Sequence, residues 1–355
     1  MTTKIIQVGN IKIGQGQPAF IIAEAGVNHN GNLGLAKKLV LAAKEVGANA
    51  VKFQTWRTEN ILVKGTAKAE YQKADGVQED QFEMAKKLEL PYEAFVKLNR
   101  YANKVGIMLF STPDDEESLH FLVKKLKVKI IKIGSAELTN WPHLQKIARY
   151  RLPMIISTGM ATFKEVKLAV RAIEKVWLRP KLAILHCTTT YPTRPEEANL
   201  RVIRTYIKEF PKYVIGFSDH TKDTFTSAIA VGLGAKVIEK HLTLDNSLPG
   251  PDHQASLNIQ DFTKMVRGIR LAEQMLGSSK KRPTPSEVMN KKVVQRFLVA
   301  ARDIKSGEIL RKKMVTAKRT SEGGGLGVAL AALILGKKAK RLITADKLIK
   351  KAYLI

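Results

Sequence analysis

Short apolar runs recur through the first 280 residues, each followed by a longer stretch that mixes apolar and polar positions. The runs fall at 19–23, 50–53, 107–110, 130–133, 154–156, 182–185, 214–217 and 236–239. Continuous apolar runs of this length, bounded by turn residues, are the pattern of strands covered on both faces. In the intervening stretches 35–46, 92–105, 163–176 and 224–233, apolar residues return near the 3.6-residue period of an α-helix. Gly47, Gly106 and Gly234 stand just after helical stretches and just before strands, where a left-handed residue ends a helix. Eight strand–helix units predict a (β/α)8 barrel of the TIM type. An open doubly wound sheet is the alternative. The even spread of polar motifs over all eight strand ends favours the barrel.

Two regions break the rhythm. Residues 55–90 show no strand–helix alternation and are expected to form a long insertion at the barrel mouth, with Tyr71 and Gln72 within it. After Gly277 the chain becomes rich in Ser, Lys and Pro, so 279–290 is expected to be a linker between a barrel domain, 1–278, and a small domain, 291–355. The small domain shows β-prone runs at 297–301 and 314–317, a Ser306-Gly307 turn and a glycine cluster at 323–325. A unit of this size is near the lower limit for folding alone, so docking on a barrel or a second subunit is expected.

Composition narrows the class. A single cysteine, Cys187, excludes a disulfide framework and suits a reducing compartment, and the first ten residues carry no secretory pattern, so a cytoplasmic protein is expected. No apolar run approaches the ~18 residues of a membrane span. The net charge is +28, and residues 281–355 hold 19 Lys/Arg against 5 Asp/Glu. No aromatic-rich or helix-turn-helix motif accompanies this charge, so it reads as a solvated basic surface that attracts anionic substrates rather than as a nucleic-acid site.

The candidate chemistry lies at the strand ends, which converge on one mouth in a barrel. Glu24 follows the first run and is placed for proton transfer. Lys52 and Lys132 interrupt runs that should be buried, and a buried lysine demands an anionic partner, which a bound anion would provide. Hydroxyls at Thr112, Ser135, Ser157 and Ser218 join the lysines as a cradle for phosphate and carboxylate. His220 and His241 end consecutive strands, so their imidazoles can meet as ligands of one metal ion with open positions for water and substrate. Two imidazoles by themselves do not choose the metal.

As an ordered set, Ile21-Ile22-Ala23-Glu24-Ala25-Gly26-Val27-Asn28-His29-Asn30-Gly31, Val51-Lys52-Phe53-Gln54-Thr55, Lys132-Ile133-Gly134-Ser135, Ser157-Thr158-Gly159-Met160, Gly216-Phe217-Ser218-Asp219-His220-Thr221 and Pro249-Gly250-Pro251-Asp252-His253 resemble the sialic acid synthase family across nearly the whole chain. The C-terminal region, with Ser306-Gly307-Glu308 and Ala317-Lys318-Arg319, resembles the antifreeze-like (SAF) domain that ends these enzymes. The resemblance implies condensation of phosphoenolpyruvate with N-acetylmannosamine, or with 2,4-diacetamido-2,4,6-trideoxymannose, by C–O cleavage. It implies Mn²⁺ or Mg²⁺ on His220 and His241, and catalytic roles for Glu24, Lys52 and Lys132. Phosphoenolpyruvate contacts would come from Lys132, Ser135, Thr112, Ser157, Ser218 and Gln54. Thr189 is a further such contact, where some members carry Asn. Sugar contacts would come from Tyr191, Asp252, Glu137 and Arg319. Arg319 would reach the barrel of a partner subunit in a domain-swapped homodimer. The family usually places Pro-Gly after that arginine; here Thr320-Ser321 follow. Other phosphoenolpyruvate-condensing barrels, which make 3-deoxy-ulosonic acids from sugar phosphates, fit less well, since the small domain and the Ser-Asp-His-Thr segment set this chain apart.

Overall fold

The computed structural model describes residues 5–69, 72, 78–322 and 324–355. Twelve strands are present among them: β1 (Ile5–Val8), β2 (Ile11–Gly14), β3 (Phe20–Gly26), β4 (Ala50–Thr55), β5 (Met108–Pro113), β6 (Ile131–Ile133), β7 (Met154–Ser157), β8 (Leu182–Cys187), β9 (Val214–Asp219), β10 (Val237–His241), β11 (Arg296–Ala300) and β12 (Val315–Arg319). Strands β3 to β10 form one parallel eight-stranded sheet in the order β5-β4-β3-β10-β9-β8-β7-β6. The ends of that order, β5 and β6, lie against each other, so the sheet is a nearly closed barrel. These are the eight apolar runs of the sequence. Helices follow each strand in turn, among them Leu33–Glu45, Tyr92–Val105, Phe163–Val176 and Ile259–Leu276. The first starts where Asn32 Oδ1 accepts the Leu35 N–H at 3.0 Å, a side-chain cap on an otherwise open donor. The second ends at Gly106 with φ +74°, the left-handed residue its sequence position predicts.

Two apolar layers hold the barrel. The outer one lies between strands and helices and includes Ile21, Ala23, Val51, Phe53, Leu39, Leu98 and Phe262. The inner one fills the barrel floor with Phe20, Ile22, Ala50, Phe110, Ile130, Ile155, Leu185 and Val237. It is completed by Ile6, Val8 and Ile13 from the antiparallel hairpin β1–β2, which the sequence pattern did not reveal because four-residue strands carry little periodicity. Gly216 lies within this packing: a Cβ there would lie 2.5 Å from the Val237 carbonyl oxygen.

The insertion stands as expected and gains detail, and the linker needs correction. The 55–90 insertion contains helices Thr58–Ile61 and Gln81–Leu88, the second held by a reciprocal cap between Asp80 and Glu83. The stretch 279–290 is not linker throughout, since Pro285–Val294 is a helix capped by Thr284 and Glu287 with proline in its first turn. The Thr-Pro-Ser-Glu spacing carried that cap in the sequence.

The chain divides into two compact units, Met1–Gly277 and Ser278–Ile355. In the second, β11 and β12 pair antiparallel, and Leu298, Ala300, Ile304, Met314, Ile343 and Ile349 form its core. Among the described residues, no helix is long and apolar enough to cross a membrane.

Candidate active site

Alternation along the barrel strands builds the site. Side chains two residues apart share a face, so the residues continuing the inner apolar layer also point into the barrel. Phe20 and Ile22 lead to Glu24, Ala50 to Lys52 and Gln54, and Phe110 to Thr112. Ile130 leads to Lys132, Ile155 to Ser157, Ala183 and Leu185 to Cys187, and Val237 to Glu239 and His241. The strand register then sets neighbours: Glu24 lies beside Lys52 on one side and His241 on the other, and Ser218 lies beside Glu239. The barrel therefore changes from apolar floor to polar mouth within one residue pair on each strand.

Four charges meet at the centre of that mouth. Lys52 Nζ lies 2.8 Å from Glu24 Oε1 and 3.8 Å from Glu239 Oε2, and Lys132 Nζ lies 3.5 Å from Glu239 Oε1. All four side chains are buried. Burial drives the Glu24 carboxyl up to about 7; Lys52 opposes the rise and Glu239 adds to it. Burial acts on Glu239 in the same direction, but Lys132 and Lys52 outweigh it and hold that carboxyl below its usual range. Burial holds Lys132 below the usual amine value. For Lys52, burial is outweighed by Glu239 and Glu24, and its value rises. Glu239, which the sequence reading did not single out, supplies the lysines with an anionic partner from within the chain.

The hydroxyls surround this cluster. Thr112 Oγ1 accepts from Lys52 at 3.3 Å, and Gln54 Nε2 donates to Glu24 Oε1 at 3.3 Å. Ser218 Oγ donates to Glu239 Oε1 at 3.0 Å. Ser135 Oγ accepts from the Gly159 N–H at 3.0 Å. A Cβ on Gly159 would overlap Thr189 Oγ1 and lie 2.9 Å from Ser135 Oγ, so only glycine permits this convergence. The Ser157 and Thr189 hydroxyl oxygens are buried and have no hydrogen-bond partner. Buried polar atoms in this state are rare in native proteins.

His220 and His241 come together with ring centroids 5.5 Å apart, and Tyr191 lies 4.1 Å from the first and 5.5 Å from the second. His220 Nδ1 faces the Thr188 carbonyl oxygen at 2.7 Å, which fixes the ring and leaves Nε2 toward the mouth, 3.4 Å from Ser218 Oγ. His241 Nδ1 is buried without a hydrogen bond, 3.5 Å from Asp252 Oδ2. Burial, then His220 and Lys52, holds the His241 imidazole well below its usual value, so it is neutral and free to donate a lone pair. No ready-made cluster of three or more His, Cys, Asp or Glu ligands exists among the described residues. Burial opposes charge on His220, but Cys187, the Thr188 carbonyl and Glu239 outweigh it and raise that imidazole above its usual value. Two imidazoles beside a carboxylate fit a divalent ion that displaces any ring proton and takes its remaining ligands from water and substrate.

The other predicted residues are placed as follows. Glu137 ends the short helical turn Ser135–Glu137, half-buried, and accepts from Asn140 Nδ2 at 2.7 Å. Gln72 and Asp252 line a cavity that also contains Tyr191 and His241. Tyr71 lies outside the described residues. Arg319 is exposed at the end of β12 in the second unit, opposite Arg296.

A model of the NeuB family matches residues 39–281, and a model of the SAF domain matches residues 295–355. The chain belongs to the NeuB family. N,N'-diacetyllegionaminic acid synthase of Legionella pneumophila is 43% identical over 336 residues, covering 94% of this chain and 93% of that protein. Human N-acetylneuraminate-9-phosphate synthase is 38% identical over 306 residues, covering 86% and 84% of the two chains. The crystal structure of N-acetylneuraminic acid synthetase from Leptospira borgpetersenii in complex with citrate matches with a TM-score of 0.72 at 35% identity, covering 81% of this chain and 95% of that one. This NeuB-family chain is an enzyme of phosphoenolpyruvate-dependent nonulosonic acid synthesis, whose general reaction joins phosphoenolpyruvate to an amino sugar.

Gly159→Ala is expected to displace Thr189 and Ser135 and to raise the KM for phosphoenolpyruvate at least ~10-fold, the loss of one charge-assisted hydrogen bond. Circular dichroism should show the fold intact. An unchanged KM in folded protein would remove the cradle.

Proposed function

We propose that this enzyme condenses phosphoenolpyruvate with the open-chain aldehyde of an unphosphorylated acetamido sugar, using a divalent metal. The observation that carries this reading is the meeting, in one barrel mouth, of two buried lysines, unpartnered hydroxyls and a pair of adjacent imidazoles.

Lys132, Ser135, Ser157 and Thr189 hold the phosphate, while Lys52, Thr112, Gln54 and Ser218 orient the enolpyruvate. His220 and His241 would hold Mn²⁺ or Mg²⁺, which when bound polarises the aldehyde oxygen as a Lewis acid. The methylene carbon of phosphoenolpyruvate forms the new bond to the aldehyde carbon as its C=C bond is consumed, leaving an electron-poor C2 and an alkoxide on the former aldehyde. Water adds at C2 and gives one proton to Glu24, which passes it to that alkoxide. The bond from C2 to the ester oxygen then breaks; the C2 hydroxyl gives its remaining proton to the departing phosphate and becomes the 2-keto group. Tyr191, Asp252 and Glu137 contact the sugar or support those contacts.

The acceptor cavity favours one of the two sugars. Val27, Trp56, Ile61, Leu62, Met84 and Leu88 form an apolar wall, and no Lys or Arg is present among the described lining residues. An acceptor phosphate would have no cation there, whereas a 6-deoxy methyl and a second acetamido methyl would be covered. The relatives named N,N'-diacetyllegionaminic acid synthase, at 43% and 42% identity, support 2,4-diacetamido-2,4,6-trideoxymannose as the acceptor. N-acetylmannosamine is the second reading, supported by the similarity to the Leptospira synthetase.

The test is phosphate release from phosphoenolpyruvate with Mn²⁺ and each sugar in parallel. Release chiefly with the diacetamido sugar is expected, abolished by a chelator and restored by added metal. Release with N-acetylmannosamine alone would replace the first reading with the second, and release that survives chelation would remove the metal.

Glu24, with its carboxyl near 7, should act as the base that must ionise, so kcat/KM should rise with pH through about 7. In Glu24→Gln the residual activity should lose that limb; persistence of the limb would assign it to another group.

Arg319 is proposed to reach the acyl group of a sugar bound in the barrel of a partner subunit. Arg319→Ala should then raise the KM for the sugar and leave that for phosphoenolpyruvate unchanged. Complementation of Arg319→Ala by a barrel-inactive Lys132→Ala chain in mixed dimers should restore activity; no restoration would rule out exchange between subunits.

A further inference from the structure

Two aspartates follow β5, and the structure uses them differently. Asp115 is committed to local structure. Its carboxylate accepts from the Ser118 N–H at 2.9 Å, the Ser118 hydroxyl at 2.7 Å and the Arg57 N–H at 2.8 Å, which caps helix Glu116–His120 and ties it to the insertion. Asp114 has no such use. Its N–H donates to the Thr55 carbonyl at 3.0 Å, while its side chain makes no hydrogen bond or ion pair with any described residue. It is half-buried and lines two adjoining cavities. One is the acceptor cavity that runs from Tyr191, His241 and Asp252 to the insertion helices. The other is an acidic recess with Glu116, Glu117 and Glu137. Gln54, Ile61 and Gln81 are shared with Asp114 by both.

A carboxylate in this position is costly unless something donates to it. Burial drives Asp114 up to about 7; Lys52 opposes this, and Glu137, Asp115 and Glu24 add to it. None of the steps described above uses it. The same cavity is lined by the apolar Val27, Trp56 and Met84 and by the polar Asp114 and Gln54, so a sugar held there meets polar partners as well as apolar cover.

We propose that Asp114 is a specificity-determining residue of the acceptor site, its carboxylate accepting a hydrogen bond from a hydroxyl or amide N–H on the part of the sugar remote from the aldehyde. This deepens the reading of the site as an acetamido-sugar pocket and rests on it. Asp114 selects acceptors that present a donor on that edge and disfavours those that present an acceptor or an anion, because two acceptors facing each other without a proton repel.

The experiment is steady-state phosphate release by full-length wild type, Asp114→Ala and Asp114→Asn, with phosphoenolpyruvate, Mn²⁺ and each of the two sugars. A hydrogen bond to a charged group predicts that Asp114→Ala raises the KM for the preferred sugar ~10-fold or more. The KM for phosphoenolpyruvate should stay within about twofold, because a group that binds only the acceptor leaves the other substrate untouched. Asp114→Asn retains a carbonyl acceptor and should fall between the two. An unchanged sugar KM in Asp114→Ala, or an equal rise for both substrates, overturns the assignment while leaving the synthase reading in place. Should Asp114→Ala fail to fold, as judged by thermal denaturation, the Asn variant decides by the same criterion. No phosphate release by wild type with either sugar would overturn the synthase reading and, with it, the role of Asp114.

Discussion

The barrel mouth depends on a charge balance that water does not provide. Lys52 and Lys132 are buried in the middle of a parallel sheet, and each would be strongly destabilising alone. Glu24 and Glu239 offset them from neighbouring strands, with contacts of 2.8 to 3.8 Å. The balance is incomplete at neutral pH, because Glu24 sits near 7 and is partly protonated. Lys132, held below the usual amine value by the same burial, shares a proton economy with Glu24, so the protonation of the cluster responds to whatever charge is brought against it.

The floor and the mouth belong to one construction. Alternation on eight strands puts Phe20, Ile22 and Glu24, or Ala183, Leu185 and Cys187, on a single inward face. The lower layers exclude water, and the top layer then acts in a medium where electrostatic interactions are less screened. The hairpin β1–β2 closes the floor with Ile6, Val8 and Ile13, keeping solvent from reaching the charges from below. Activity and core packing are thus adjacent rows of the same strands, and a mutation in one is felt in the other.

The insertion after β4 adds what the barrel lacks. Its helices bring Ile61, Met84 and Leu88 to face Val27 and Trp56, giving the acceptor cavity an apolar side. The charged cluster is made from strand ends, which are held by the sheet. The apolar cavity beside it is lined largely from the insertion, and loops of this kind vary more among relatives than the elements they connect.

Most of the fold was legible in the sequence because a parallel barrel imposes strong local rules. Buried strands must be apolar runs, helices between them must be amphipathic, and glycine must end several of them. Lys52, Lys132, His220 and His241 stood out for the same reason, as polar residues at the ends of apolar runs. The hairpin, the two insertion helices and the helix Pro285–Val294 were not read, since each is short and held by tertiary packing or by a cap rather than by periodicity. Glu239 and Asp114 were also missed. A carboxylate within a strand or beside an N-cap is unremarkable in one dimension. Only the register that sets Glu239 beside Ser218, and the cavity that leaves the Asp114 side chain without a hydrogen bond among the described residues where Asp115 has four, separates them from their neighbours. The sequence by itself determined which residues point into the barrel, because that depends on a period of two along each strand. Which of them meet was decided by the tertiary structure, because contact across the mouth depends on how eight separate strands are aligned.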